Sequence, residues 1–509
     1  MIRSNLPESY ARSAARVVAR CALVALACAV PFASGCPEPQ VATNAPTPCT
    51  EDGRKWTKRA AGEYKAGDLG EANDSVQNAL KFCGDEAESH LVAGRIALAR
   101  LDFPAAIKAL DGVEGSEASS LRARAFWYSD DLEGTAEELS NALEDPDFKD
   151  PWAKPVRELA GAQGAGRHPF KIKEGASRLV EIKMPRDLGY ALMVPIEIDG
   201  QPTMALAVTG VPELVLDSKA RTGPGWVSVK FASTTGDKSL EMRDVPALVQ
   251  DLTPYTSNQT VPIGALIGVN LLRRLHVTFD RRADQFIIRS EEPPHPPPTL
   301  FTPVEVAYVR GGGMVVRGTM RQEFEVTSGL WINTGDPWTL ALPDPTWKQI
   351  GVDPKALGTY AGTQHGKITD VHVGVLDLGP VESVAGIADV DTKLGQLDID
   401  TVGAMGVGFL TALRVTIADG GRTLWLETDP DTSAVLAPPV PGTATGAVGV
   451  PAATSSAAPA ASTAAPAAST AKPPAASSSS AAPPKASASS TAAPPKATGA
   501  PPAPKASAK

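Results

Sequence analysis

The amino-acid sequence predicts a multidomain protein: a short α-helical array, then an all-β body of two similar lobes, then a disordered tail. Three observations predict it. From about Asp52 to Gly161 the chain is rich in Ala, Leu, Glu and Lys, with turn signals at Gly67-Asp68-Leu69, Leu101-Asp102-Phe103 and Asp130-Asp131-Leu132. From Leu179 onward strand signals dominate, and one short turn, Val208-Thr209-Gly210, recurs as Asn333-Thr334-Gly335. From about residue 437 to Lys509 the composition collapses largely to Ala, Pro, Ser, Thr and Lys, without an aromatic residue.

Residues 1–35 read as a secretory signal peptide. Arg3, Arg12, Arg16 and Arg20 precede an apolar run from Cys21 to Phe32 that is too short to span a bilayer, and Ala33-Ser34-Gly35 stand directly before Cys36. The arrangement resembles the bacterial lipobox, with Ala33 where Leu is usual. That resemblance implies lipidation of Cys36, a linker over 36–50, and anchoring to a membrane of the bacterial cell envelope, facing the periplasm or cell surface. Simple cleavage and secretion is the alternative. A lipidated cysteine anchors through buried methylenes worth ~0.8 kcal/mol each. Cys21 and Cys28 leave with the signal, so Cys49 and Cys83 remain in an oxidising compartment. They read either as a disulfide or as a linker residue and a buried apolar one.

Residues 51–165 form the helical region. Its first two turn signals are 34 residues apart, which is the period of tetratricopeptide repeats, and the flanking small residues resemble them too. Ala60-Ala61-Gly62-Glu63-Tyr64 precede the first turn and Ala72, Ser75 and Ala79 follow it; Leu91 to Ala97 precede the second, and Ala105, Ala106, Ala109 and Leu110 follow. A third unit, Ala118 to Leu143, is shorter. Such a tetratricopeptide-like array implies a concave surface for a peptide or protein partner. A helical spacer that binds nothing is the alternative.

Residues 171–292 and 299–430 read as the two β lobes, joined through the Pro-rich stretch 293–298. Alternation in Val194-Pro195-Ile196-Glu197-Ile198, a turn at Asp199-Gly200, and Met204-Ala205-Leu206-Ala207 lead into Val208. In the second lobe Gly313-Met314-Val315-Val316, a turn near Gly318 to Gln322, and Leu330-Trp331-Ile332 lead into Asn333. Each Thr-Gly turn is followed roughly sixty to seventy-five residues later by an apolar-Gly strand and a helix start. These are Gly264-Ala265-Leu266-Ile267-Gly268-Val269 and Gly403-Ala404-Met405-Gly406-Val407-Gly408.

The doubled pattern resembles the pepsin and retropepsin family of aspartic proteases, in which a hydrophobic-hydrophobic-Asp-Thr-Gly turn in each lobe supplies one carboxylate. The resemblance covers about half the chain and implies a two-lobed pepsin-like domain. Here Val208 and Asn333 stand where the acids belong. The family's chemistry needs two carboxylates sharing one proton, one acting as base on water and the other as acid. Valine has neither lone pair nor proton, and an amide cannot accept a proton at ordinary pH. Thr209, Gly210, Thr334 and Gly335 keep the residues that, in the family, clamp the two turns together. Asp336 is the possible substitute acid, with a turn-capping role as its alternative; Asp217, Asp398 and Asp400 lie farther off. The resulting expectation is a pseudoprotease lipoprotein that binds a peptide or protein through its cleft and repeats. An aspartic endopeptidase working through Asp336 and a structural protein with a filled cleft are the alternatives.

No cofactor or metal is expected. His90, His168, His276, His295, His365 and His372 show no H-E-x-x-H spacing, and neither a G-x-S-x-G elbow nor a phosphate-binding glycine loop is present. The net charge of −9 divides into +3 for the signal, +5 for the tail and hence −17 for the rest. An acidic body excludes nucleic acid as an expected partner. The tail's Lys472, Lys485, Lys496, Lys505 and Lys509 meet no acid, so it reads as a basic segment for anionic envelope polymers or as an inert spacer.

Overall fold

The computed structural model describes residues 49–427 except 85, 186–190, 257–260, 310–312, 361 and 411–412. The signal segment, Cys36 and the tail lie outside the described residues. The chain divides into Met1–Pro439 and Val440–Lys509, and every described residue belongs to the first unit.

Seven helices come first: α1 (Glu51–Lys65), α2 (Leu69–Phe82), α3 (Ala87–Ala99), α4 (Phe103–Leu110), α5 (Ser116–Tyr128), α6 (Leu132–Leu143) and α7 (Ala153–Ala160). One local device joins the two helices of each of three successive pairs. A residue with positive φ (Gly67, Leu101 or Asp130) stops the chain's helical path. An aspartate then caps the next helix. Asp68 accepts from Glu71 N at 3.3 Å, Asp102 from Ala105 N at 3.2 Å and Asp131 from Gly134 N at 2.9 Å. Each cap satisfies an orphan N–H and stabilises its helix by about 1 kcal/mol. Within the pairs, buried Ala60, Ala72, Ala79 and Ala106 allow close approach. Gly94 presses on Leu110, and a methyl there would come within 2.5 Å of its Cγ. The Cys49–Cys83 disulfide ties the start of α1 to the end of α2. Among the described residues no helix is long and apolar enough to cross a membrane.

The remainder is β-rich. The first half contains β1 (Lys171–Ile172), β2 (Leu179–Lys183), β3 (Met193–Ile198), β4 (Gln201–Ala207), β5 (Leu214–Asp217), β6 (Gly225–Ala232) and β7 (Ser239–Gln250). The short helix α8 (Thr253–Thr256), β8 (Ala265–Ile267), α9 (Val269–Arg274), β9 (Thr278–Asp280) and β10 (Gln285–Arg289) complete it. The second half opens with β11 (Phe301–Val309), β12 (Gly313–Arg321), β13 (Glu325–Ile332), β14 (Leu340–Leu342), α10 (Asp344–Gln349), β15 (Gly358–Tyr360) and β16 (Thr363–Ile368). It continues through β17 (Asp370–Val373), β18 (Leu376–Asp377), β19 (Val381–Ala385), α11 (Ala388–Leu394), β20 (Thr401–Met405), α12 (Val407–Leu410), β21 (Arg414–Ala418) and β22 (Thr423–Glu427). The turn expected near Gly318 to Gln322 is displaced to 322–324, because Gly318 lies inside β12. It serves there as a close-packing residue against the Leu330 side chain.

The two halves repeat one topology. β4 runs parallel to β8, as β13 does to β20; β5 pairs antiparallel with β8, as β14 does with β20. β5 runs parallel to β7, and β14 to β19. A closing hairpin ends each half, and β9 pairs antiparallel with β21 to join them, so the second sheet runs on into β10 and β2. At that seam Thr278 Oγ1 meets Thr416 Oγ1 at 2.8 Å.

The helices are packed on the β body. Tyr64, Leu69, Val76, Val92 and Ile96 share an apolar core with Val309, Trp331, Leu394 and Ile399 of the second half. Trp127, Tyr128, Trp152, Val156 and Leu159 belong to a core that takes in Leu214 and Trp226 of the first. Polar contacts fix the register: Tyr64 Oη donates to Asp398 at 2.8 Å, Asp400 N to the Lys65 carbonyl at 2.6 Å, and Arg274 pairs with Asp130 at 2.6 Å. Thus α1, α2 and α3 pack against the second half of the β body, and α5 and α7 against the first.

Candidate functional site

The two Thr-Gly turns face each other and are joined by reciprocal hydrogen bonds. Thr334 Oγ1 accepts from Thr209 N at 3.0 Å and donates to the Ala207 carbonyl at 2.7 Å. Thr209 Oγ1 accepts from Thr334 N at 3.2 Å and donates to the Ile332 carbonyl at 2.8 Å. All four groups are buried. Behind each turn the same support recurs: Val208 N bonds to the Ile267 carbonyl at 3.0 Å, and Asn333 N to that of Met405 at 2.8 Å. Val269 N then bonds to the Val211 carbonyl at 2.9 Å, and Val407 N to that of Asp336 at 2.8 Å. Gly268 and Gly406 make this possible, since a Cβ on either would run into the backbone of Glu213 or of Asp336 and Trp338. The glycines of both apolar-Gly strands are therefore required by close backbone approach.

Gly210 and Gly335 bring the two turns together. A methyl on Gly335 would meet Val208 Cγ1 at 3.1 Å and Asn333 Oδ1 at 3.3 Å. Val208 is 0% exposed and sits in an apolar cluster with Met193, Leu206, Val215, Leu252, Ile263 and Leu266, with Tyr255 packed against it. Methyl groups thus occupy the place before the first Thr-Gly, and Asn333, 2% exposed, occupies the place before the second. Its Oδ1 accepts from Gly335 N at 3.2 Å, and its Nδ2 donates to Asp336 Oδ2 at 2.8 Å.

Asp336 is therefore brought to the turn, as its spacing from Asn333 suggests. Burial pushes its carboxyl up to about 6, partly opposed by the Lys393 charge and the Asn333 hydrogen bond and reinforced by Asp389. Burial and the nearby Asp336 charge both raise the Tyr255 phenol. A carboxyl raised to about 6 can exchange a proton, and it stands against the Asn333 amide with Lys393 and Asp389 near enough to act on it by charge.

The other acids weighed for chemistry do structural work. Asp217 Oδ1 accepts from Lys219 N at 3.3 Å, the Asp398 carboxylate accepts from Tyr64 of α1, and Asp400 holds α1 through its main-chain N–H. Among the histidines, His90 bonds two carbonyls, those of Ala109 at 2.7 Å and Gly84 at 2.8 Å; His276 pairs with Glu292 at 2.7 Å; and His295 stacks on Trp425. His365 lies in β16 and His372 in β17, which pair with different strands.

Sequence reasoning missed Glu213. It lies five residues after Val208, is 1% exposed, and its Oε1 accepts from Trp127 Nε1 at 2.9 Å, Asn270 Nδ2 at 3.2 Å and Trp152 Nε1 at 3.4 Å. Burial raises its pKa, opposed by those three donors and by the charge of Arg273. The available signal was a lone acid inside the apolar run Val211-Pro212-Glu213-Leu214-Val215-Leu216.

No family model and no curated protein matches the chain. Among solved structures it is similar to a retropepsin-like aspartic protease from Rickettsia conorii, at 16% identity over 25% of this chain and 90% of that chain, with a TM-score of 0.20. It is also similar to Basic 7S globulin from soybean, at 9% identity over 52% of this chain and 97% of that chain, with a TM-score of 0.35.

Proposed function

We propose that the chain is a non-catalytic, aspartic-protease-like lipoprotein of the bacterial cell envelope, anchored through Cys36, that binds peptide or protein partners. One observation carries the reading. Thr209 and Thr334 keep the full set of turn-to-turn hydrogen bonds, while Val208 and Asn333 fill the two places where proteolysis requires carboxylates. Removing a general base commonly costs roughly 100- to 10,000-fold in rate, and here the activated water loses both partners. In this reading the two β halves are the lobes of a pepsin-like domain, and the tetratricopeptide-like helices brace them against each other.

The full chain should release no pepstatin-sensitive fragments from a denatured protein substrate at pH of about 3 to 6, the range in which an acid dyad works. Inhibitor-sensitive turnover that disappears in Asp336→Ala would overturn the reading. That result would establish the rival, a peptidase using Asp336, which is favoured by the elevation of that carboxyl to about 6. The anchor is tested separately: Cys36→Ser should move the protein from the detergent phase to the aqueous phase on partitioning.

A further inference from the structure

Three ligand atoms converge at the start of the helical array. The Cys49 and Cys83 sulfurs and a Glu86 carboxylate oxygen all lie within 4.8 Å of one another. Helix ends bring them together: Cys49 stands just ahead of Thr50, the N-cap of α1, Cys83 is the C-cap of α2, and Glu86 is the N-cap of α3. Cys83 is 1% exposed, whereas Cys49 and Glu86 are half-buried.

Two features set this group apart from a disulfide with an acid passing by. The first is the contact itself. Glu86 Oε2 stands 3.2 Å from Cys49 Sγ. A bridged sulfur carries no proton, so the contact satisfies nothing in the oxidised chain; it becomes favourable when the sulfur is a thiol or when a cation lies between the two atoms. The second is the support behind the carboxylate. Ser89 Oγ donates to the same Glu86 oxygen at 3.0 Å, and Thr57 Oγ1 of α1 meets Ser89 Oγ at 2.7 Å. Ser89 is 0% exposed and Thr57 2%, so a buried hydroxyl relay fixes where Glu86 points. Carboxylates that ligate metals are oriented by outer hydrogen bonds of this kind. Gly53 completes the seat, since a methyl there would run into Cys83 Sγ and come to 3.3 Å from Cys49 Sγ.

We propose that Cys49, Cys83 and Glu86 form a zinc site when the bridge is open, with the fourth position of the tetrahedron left to solvent. Thiolates disfavour the hard cations calcium and magnesium, and a carboxylate disfavours copper(I); zinc takes sulfur at about 2.3 Å and carboxylate oxygen at about 2.0–2.2 Å. A dithiol reductant opens the bridge by becoming a disulfide itself, which leaves two thiols, and zinc then displaces both thiol protons to solvent. Cys49 precedes the first helix, so its sulfur draws back to a zinc-bonding separation without breaking a helical turn. The clamp on α1 thus has two forms, a disulfide under oxidising conditions and a zinc site under reducing ones. It is independent of the Val208 and Asn333 turns, so its failure leaves the non-catalytic reading untouched.

Cobalt(II), which takes zinc's ligands and reports them by colour, tests the site in the full chain carrying Cys21→Ser, Cys28→Ser and Cys36→Ser, where Cys49 and Cys83 are the remaining thiols. After reduction with a phosphine the chain should bind one cobalt with the intense visible bands of tetrahedral thiolate coordination, and zinc should erase them. The oxidised chain should show none. Glu86→Gln keeps an acceptor for Ser89 and should weaken binding at least about tenfold, a change that metal held by two loose thiols would not sense. Zinc should also raise the urea midpoint of the reduced chain, whose fold circular dichroism would verify. No bands from the reduced chain at about 1 mM cobalt, equal bands from the oxidised chain, unchanged affinity in Glu86→Gln, or a midpoint indifferent to zinc overturns the proposal.

Discussion

Replacing Glu213 tests whether one buried carboxylate secures the helical array to the β body. Its Oε1 receives Trp127 Nε1 at 2.9 Å, Asn270 Nδ2 at 3.2 Å and Trp152 Nε1 at 3.4 Å. In Glu213→Ala those donors stay buried with no acceptor. Each well-formed bond lost this way costs about 1–3 kcal/mol, and the longest of the three counts least, so the expected loss is about 3–5 kcal/mol. Glu213→Gln keeps an acceptor oxygen and removes a buried charge, so it should stay within about 1 kcal/mol of the parent. The pH dependence follows from burial, which raises the carboxyl's folded pKa above its unfolded value. Folding then favours the protonated form. This contribution is complete below the unfolded glutamate pKa of about 4.3 and is lost as pH rises through the raised folded pKa. The parent should lose stability across that window, and the Gln variant should lack this component of the slope. Urea unfolding read by tryptophan fluorescence at pH of about 4 and 7 measures both effects, since two of the reporting indoles touch the substituted group. An Ala variant within about 1 kcal/mol of the parent, or a Gln variant as damaged as the Ala one, would refute the reasoning.

Other outcomes follow from the turns and the disulfide. Asp336→Asn should flatten the stability profile between pH of about 4 and 6, because a carboxyl raised to about 6 stabilises the folded state while protonated and loses that contribution as pH climbs; the component removed is on the order of 2 to 3 kcal/mol, read by denaturant midpoints across that range. Thr334→Val keeps the shape but strands Thr209 N and the Ala207 carbonyl, so it should cost about 2–4 kcal/mol in the same assay, and Thr209→Val should cost a similar amount. Reducing the Cys49–Cys83 bond frees a loop spanning 34 residues and should lower stability by up to about 3–4 kcal/mol, with hydrogen exchange rising first in α1 and α2.

The features legible in the sequence are those whose cause is local. A residue of positive φ followed by a capping aspartate needs nothing beyond its own neighbours, so Asp68, Asp102 and Asp131 announce three helix starts. The paired Thr-Gly turns and the glycines at 268 and 406 are legible for a related reason: each repeats, and each marks a close backbone approach that only a small residue or a hydroxyl permits. Asp336 lies three residues past Asn333 on the same tight turn, and its carboxylate accepts from Asn333 Nδ2 there.

What the sequence hid is the face each helix turns outward. Ala-rich helices with small residues on two sides can pack on one another or on a sheet, and periodicity does not distinguish the two. Here they do both. Asp398 stands just ahead of the second apolar-Gly strand in the sequence, yet its partner is Tyr64, 334 positions away in the chain. Glu213 is only a lone acid in an apolar run until Trp127 and Trp152, 86 and 61 positions earlier, close over it. Long-range burial of this kind changes a residue's chemistry without altering its surroundings in the sequence. The same long-range packing decides the function proposed above. Val208 in the first Thr-Gly turn is closed in by Met193, Leu252 and Ile263, which lie 15, 44 and 55 positions away in the chain.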